Sequence, residues 1–145
     1  MHEQQVRDST QPLEGLVFLD ANRLVRILLT RAEPDAVGMS PIGGFVDPVG
    51  VVDDCGLLVE MGDGRAFEAP LSPGLFRKVS VASHTRVALG APVEFRGPGV
   101  LALDGDRDHK LAAGETVWVT IERDGPWAFD VAASMRYAVH HGLIG

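Results

Sequence analysis

The densest group of side chains able to do chemistry lies at residues 104–109, with the sequence Asp-Gly-Asp-Arg-Asp-His. Its three carboxylates stand at alternate positions, and such neighbours repel one another unless a cation or a hydrogen-bond donor offsets their charge. The pattern is typical of a solvated hairpin tip, and equally of a site for a cation or a phosphate-bearing ligand. The residues alone leave both interpretations open.

A calcium loop is one form that such a cluster can take. Asp104, Asp106, Asp108 and Glu115 fall at positions one, three, five and twelve of an EF-hand-style loop. His109 occupies the position at which that loop requires glycine, and the flanking residues have the pattern of strands rather than helices. These two departures disfavour calcium.

A second polar segment, Gly38-Met39-Ser40-Pro41-Ile42-Gly43-Gly44, combines three glycines with a hydroxyl. Glycines beside a serine let backbone N–H groups approach an anion, and the same composition is also that of an ordinary turn. Neither this segment nor the acidic one has the spacing of a Walker loop or of a dinucleotide-binding glycine motif.

The elements that would position these segments are mostly strands. After a frayed tail at residues 1–12, residues 13–145 are predicted to form a single mainly β domain. Apolar runs at 15–19 and 23–29 predict a hairpin, and the loop from Arg31 to Pro48 should hold at most one helical turn. Further predicted strands are Gly56 to Met61, Arg65 to Ala69, Leu75 to Ala82, Thr85 to Leu89, Pro92 to Arg96, Val100 to Leu103 and Thr116 to Glu122. Turn signals such as Gly62-Asp63-Gly64 separate them. In the last strand, Val117, Val119 and Ile121 should share one face, with Trp118 on the other.

One helix is predicted at the end of the chain. Asp130 can cap a helix from Val131 to His141, and Gly142 is a stop signal. The helix would carry an apolar stripe suited to packing, formed by Val131, Met135, Ala138 and Val139.

Charge and composition exclude several classes of function. The net charge of −7 disfavours nucleic-acid binding, because an acidic chain repels a phosphate backbone. Apolar runs are too short to cross a bilayer, and no signal peptide is visible, so we expect a cytoplasmic protein with no membrane partner. Cys55 is the only cysteine, which rules out an intrachain disulfide.

Five segments, taken in order, carry a resemblance to a known family. They are Gly38 to Gly44, Ala69 to Leu75, Leu101 to Arg107, Gly125 to Val131 and the final Gly142-Leu143. The set resembles the C-terminal half of ATP-NAD kinase-like proteins of the acetoin-catabolism X (AcoX) type, a superfamily that includes NAD kinases and diacylglycerol and sphingosine kinases. The likeness runs from about Arg23 to the end of the chain.

The resemblance implies an NAD-kinase-type C-terminal β-sandwich with irregular loops and one C-terminal helix. It implies that Asp104 and Asp106 match an Asp-Gly-Glu segment near the phosphoryl-transfer centre, where they would serve as catalytic carboxylates and organise magnesium. Gly105 and the segment with Gly38, Ser40, Gly43 and Gly44 would face the substrate. Magnesium and ATP are implied only if a nucleotide-binding partner is present.

The sequence also departs from the family's pattern. A Gly-Gly-Asp-Gly nucleotide loop is absent, so the resemblance implies a β-domain, as a split subunit or a truncated form, without kinase activity alone. It would complete an active site with a separate nucleotide-binding subunit and form a homodimer. The alternatives are a non-catalytic module that binds a small ligand or a divalent cation, and a structural oligomer.

Overall fold

The computed structural model describes residues 24–103, 107–125 and 129–144. The prediction of a mainly β chain is confirmed. The elements in chain order are β1 (Arg26–Leu29), α1 (Ser40–Gly44), β2 (Cys55–Ser72), β3 (Leu75–Ala88), β4 (Val93–Arg96), β5 (Gly99–Leu103), β6 (Arg107–Leu111), β7 (Thr116–Val119) and α2 (Val131–His140).

The main sheet has the order β1-β2-β3 and is antiparallel throughout. Strands β2 and β3 form one long hairpin that turns at Pro73-Gly74, where Gly74 has a φ of 79° that suits glycine. The prediction that the strand breaks at Gly62-Asp63-Gly64 is wrong. Strand β2 continues through these residues, and only the register of its pairing with β3 shifts there. A bulge loops out extra residues while the strand goes on, which a turn signal in sequence does not reveal.

The core lies on one face of this sheet. Ile27 and Leu29 of β1 stand opposite Val59 and Leu57 of β2, and all four are buried. Helix α1, the single turn expected in the loop from Arg31 to Pro48, lays the fully buried Ile42 into the same cluster. Because alternate side chains of a strand point to the same face of the sheet, those of β1 and β2 pack together in the core that α1 covers.

The other strands form two short antiparallel ladders, β4 with β7 and β5 with β6. The predicted alternation around β7 is confirmed, since Ile121 is buried while Trp118 is 61% exposed. Ile121 also joins this ladder to the main sheet: a Cβ added to Gly56 of β2 would lie 2.2 Å from its Cδ1 atom. A glycine is needed there because no side chain fits between them.

The predicted C-terminal helix is confirmed at both ends. The Asp130 carboxylate accepts a hydrogen bond of 2.8 Å from the Ala133 N–H, and Gly142, at φ 63°, ends the helix with the Leu143 N–H bonded to the Ala138 carbonyl. The stripe predicted to pack is instead exposed, with Val131 at 64% and Met135 at 52%. The partner strand predicted at residues 15–19 lies outside the described residues; within them, β1 pairs with β2.

Candidate functional site

The acidic segment predicted as the site connects two paired strands. Strands β5 and β6 pair so that Leu103 stands opposite Arg107. Asp104, Gly105 and Asp106 join these two residues in sequence and lie outside the described residues. The strands on both sides confirm the sequence argument against an EF-hand, which requires helices beside its loop.

The base of this hairpin carries a second polar pair. The Glu115 carboxylate accepts a hydrogen bond of 2.8 Å from the Ala112 N–H, and its other oxygen lies 3.4 Å from Nε2 of His109. The bond from the Ala112 N–H, aided by His109, lowers the pKa of Glu115, which therefore stays ionised near neutral pH. The Glu115 N–H in turn donates to the Ala112 carbonyl, so this carboxylate closes the turn before β7.

The glycine-rich segment is placed inside the fold. The Ser40 hydroxyl accepts a bond of 2.8 Å from the Glu33 N–H and donates one of 3.1 Å to the Arg31 carbonyl. Gly38 has a φ of 95°, which favours glycine, and its N–H donates to the Pro70 carbonyl at 3.1 Å. These bonds tie the loop before α1 to itself and to β2.

Gly43 and Gly44 lie where the chain packs most closely. A Cβ on Gly43 would stand 2.5 Å from the Leu29 side chain, and one on Gly44 would stand 2.5 Å from the backbone nitrogen of Pro34. Both glycines are buried. Their side-chain-free surface is therefore used for contact between α1, β1 and the preceding loop.

A pair of arginines that the sequence did not single out holds the loop between α1 and β2. The Arg86 guanidinium donates two hydrogen bonds to the Asp47 carboxylate, at 2.7 and 2.9 Å, and these bonds lower the pKa of Asp47. From the other side, Arg123 donates a bond of 2.6 Å to the Val51 carbonyl and another to that of Asp53. Because 39 residues separate Arg86 from Asp47, no sequence spacing signals this pair.

A third arginine joins the main sheet to the β4–β7 ladder. Nε of Arg26 lies 2.7 Å from the Glu60 carboxylate, and its Nη1 donates a bond of 2.6 Å to the Glu94 carbonyl. The guanidinium also lies 5.6 Å from the centre of the Phe95 ring. The pKa of Arg26 is raised, first by the hydrogen bond to Glu60. The Arg26 guanidinium is therefore engaged in contacts within the fold.

No group of three or more His, Cys, Asp and Glu side chains among residues 24–103, 107–125 and 129–144 could hold a metal ion. The magnesium site predicted at Asp104 and Asp106 falls outside those ranges. No helix in the described part of the chain is long and apolar enough to span a membrane.

Comparison with known proteins gives two findings. Residues 16–124 match the family described as the acetoin catabolism protein X C-terminal domain. The chain is 37% identical over 127 residues to the acetoin catabolism protein X of Cupriavidus necator, an alignment covering 83% of this chain and 35% of that protein. The chain thus spans about a third of the length of this curated relative. No solved structure matches the chain.

Proposed function

Because the chain belongs to the acetoin catabolism protein X C-terminal domain family, we propose that it is the β-domain of a kinase-like AcoX-type assembly. In this assembly a separate nucleotide-binding part supplies the other half of the active site. The proposal rests on the extent of the match. The alignment covers about a third of the relative's length, and the matched family is described as a C-terminal domain.

The charges of the described residues support a role that depends on a partner. Phosphoryl transfer needs positive groups to hold a triphosphate and to offset the charge that develops on it. The guanidinium groups of Arg26, Arg86 and Arg123 are bonded to the chain's own carboxylates and carbonyls. These three cations are thus engaged in holding the domain's own strands and loops, so a nucleotide would have to be held by other positive groups, which we propose a partner supplies.

The proposed chemical role of the β5–β6 hairpin is to supply carboxylates. Asp104 takes the proton of a substrate hydroxyl as its oxygen bonds to the terminal phosphorus of ATP, and ADP leaves as the bridging P–O bond breaks. Asp106 supports the charge of Asp104 after it accepts the proton. Both residues belong to the segment Leu101 to Arg107, one of those that resemble the family.

The first experiment measures ADP release from ATP and magnesium in the presence of NAD, NADH or lipid substrates. The lone chain should show no turnover, and turnover by the lone chain would contradict the need for a nucleotide-binding partner. Titration calorimetry with calcium, magnesium and ATP adds an independent measurement. Tight calcium binding without nucleotide effects would support the alternative of a cation-binding module.

The second experiment supplies the part of the relative that the alignment does not cover. The chain is co-expressed with the portion of the Cupriavidus necator protein that the alignment leaves uncovered, and complex formation and ADP release are measured. Asp104→Asn should abolish the activity of the complex while leaving its assembly intact. Asp108→Asn is the matched control, because Asp108 is an exposed carboxylate on β6 of the same hairpin. Equal loss in both variants would refute the specific role of Asp104.

A further inference from the structure

The strongest unassigned feature is the apolar side of α2. We define the α2 face as Val131, Met135, Ala138, Val139 and Leu143, which lie at positions i, i+4, i+7, i+8 and just past the end of the helix. Val131 is 64% exposed, Val139 63% and Leu143 67%. None of the ten residues of α2 is buried by the described part of the chain.

Such a helix needs a partner surface. Helices shorter than about 12–15 residues are marginal in water, and most helical stability in proteins comes from packing an apolar face. At roughly 100 Å² of free surface for each large apolar side chain, the face exposes about 400 Å². Patches of this size on soluble proteins are often functional. The helix also lies beyond residues 16–124, over which the chain matches the family.

We propose that the α2 face binds the α2 face of a second copy of this chain, as two antiparallel helices related by a two-fold axis at Met135. The spacing of the apolar residues makes the α2 face self-complementary. With Met135 on the axis, Val131 of one copy stands opposite Val139 of the other, four residues away on either side. An isologous interface requires this symmetry of a single patch.

The ends of the helix carry complementary polar groups in the same arrangement. Asp130 precedes the first turn, and His140 lies in the last turn. Antiparallel pairing about Met135 brings the Asp130 carboxylate of one copy beside the His140 imidazole of the other, which can donate a hydrogen bond to it, and it also places the two helix dipoles in opposite directions. A parallel pair would place like ends together. The end groups and the dipoles therefore favour a second, antiparallel copy as the occupant.

The buried area of this dimer lies at the low end for specific interfaces. Two faces of about 400 Å² bury about 800 Å², and polar side chains at the rim bring the total near the roughly 1,000 Å² that a specific interface needs. The dimer should therefore be weak, with a dissociation constant on the order of micromolar. Because each copy carries a charge of −7, the copies repel one another, and added salt should strengthen the dimer. This inference stands apart from the proposed kinase-like role and does not require it.

Sedimentation equilibrium at about 100 µM chain tests the proposal. The wild-type chain should sediment with twice its monomer mass of 15.5 kDa. Met135→Glu puts two carboxylates on the axis, and should weaken the dimer by at least about 30-fold, as expected for a central interface residue. Ala133→Glu is the matched control, because residue 133 lies on the opposite side of the helix and glutamate there favours the helix start. That variant should remain a dimer.

Crosslinking gives a second measurement that does not depend on destabilising the interface. In a Cys55→Ser background, which removes the only native cysteine, Met135→Cys should form an interchain disulfide on mild oxidation, whereas Ala133→Cys should not. A monomeric wild-type chain at 100 µM would overturn the proposal. So would a dissociation constant of Met135→Glu within about threefold of the wild-type value, measured over a concentration series, or equal crosslinking at both positions.

Discussion

Replacing Gly44 by alanine should destabilise the domain by about 3 kcal/mol, near the upper end for overpacking a buried position. The added Cβ would lie 2.5 Å from the Pro34 nitrogen, 2.6 Å from the Glu33 carbonyl carbon and 2.9 Å from the Pro34 Cα. All three are backbone atoms, so relief requires the loop before α1 to move away from the helix. The better helix propensity of alanine returns at most about 1 kcal/mol.

Gly43 provides a graded comparison. Its added Cβ would meet the ends of two flexible side chains, at 2.5 Å from Leu29 and 2.9 Å from Leu57, and it would also lie 3.0 Å from the Ala32 Cβ. Rotamer shifts can relieve part of that clash, so Gly43→Ala should cost only about 1 kcal/mol. Gly50→Ala is the control, since its nearest atom is the Asp53 Oδ2 at 3.6 Å, and its effect should lie within about 0.5 kcal/mol.

Urea denaturation of the three variants gives the free energies of unfolding directly. For a chain of this size a loss of 3 kcal/mol corresponds to a melting temperature lower by roughly 10 °C. The expected order of stability is Gly50→Ala, then Gly43→Ala, then Gly44→Ala. If Gly44→Ala were as stable as the wild type and lost only ligand binding, the packing explanation for this glycine would be refuted.

Three further predictions concern single contacts. Arg86→Met should raise the pKa of Asp47 towards its usual value of about 4, measured by carboxyl NMR titration. Because the folded pKa of Asp47 is lowered, its contribution to stability is present above about pH 4 and is lost as the pH falls through the folded pKa. The difference in free energy of unfolding between Arg86→Met and the wild type should therefore shrink in acid. A difference that stays constant with pH would contradict this pairing. Ser40→Ala should lower the free energy of unfolding by about 1–2 kcal/mol, because the Glu33 N–H loses its acceptor; an unchanged urea midpoint would refute this. Asp130→Ala should weaken α2 by about 1 kcal/mol, seen as reduced ellipticity at 222 nm, whereas Asp130→Asn should retain the helix.

Local chemistry explains what the sequence predicted well. The limits of α2 follow from Asp130 and Gly142, since a cap and a stop act within a few residues. The alternation of Val117, Val119 and Ile121 placed Ile121 in the interior for the same reason, because side chains in a strand change face at every residue. Features of this kind need no knowledge of distant segments.

Other features depend on contacts across the fold. Strand β6 has the polar sequence Arg-Asp-His-Lys-Leu, of which only Leu111 is buried, and its strand form follows from pairing with β5. The exposed stripe of α2 was expected to pack because an apolar stripe predicts burial without naming the surface that covers it. The Arg86–Asp47 pair arises only when β3 meets the loop after α1. These three features were not predicted because each depends on residues that are distant in the sequence.

The contacts of the glycine-rich segment also indicate which segment of this chain could contribute to a shared site. The Ser40 hydroxyl uses its proton and a lone pair on backbone groups, and the free surface of Gly43 and Gly44 is filled by the chain itself. A ligand contacting this segment would have to displace bonds that hold α1 in the core. The β5–β6 hairpin differs, because residues 107–110 are all exposed. The proposal of a site shared between two parts therefore rests on this hairpin rather than on the glycine-rich segment.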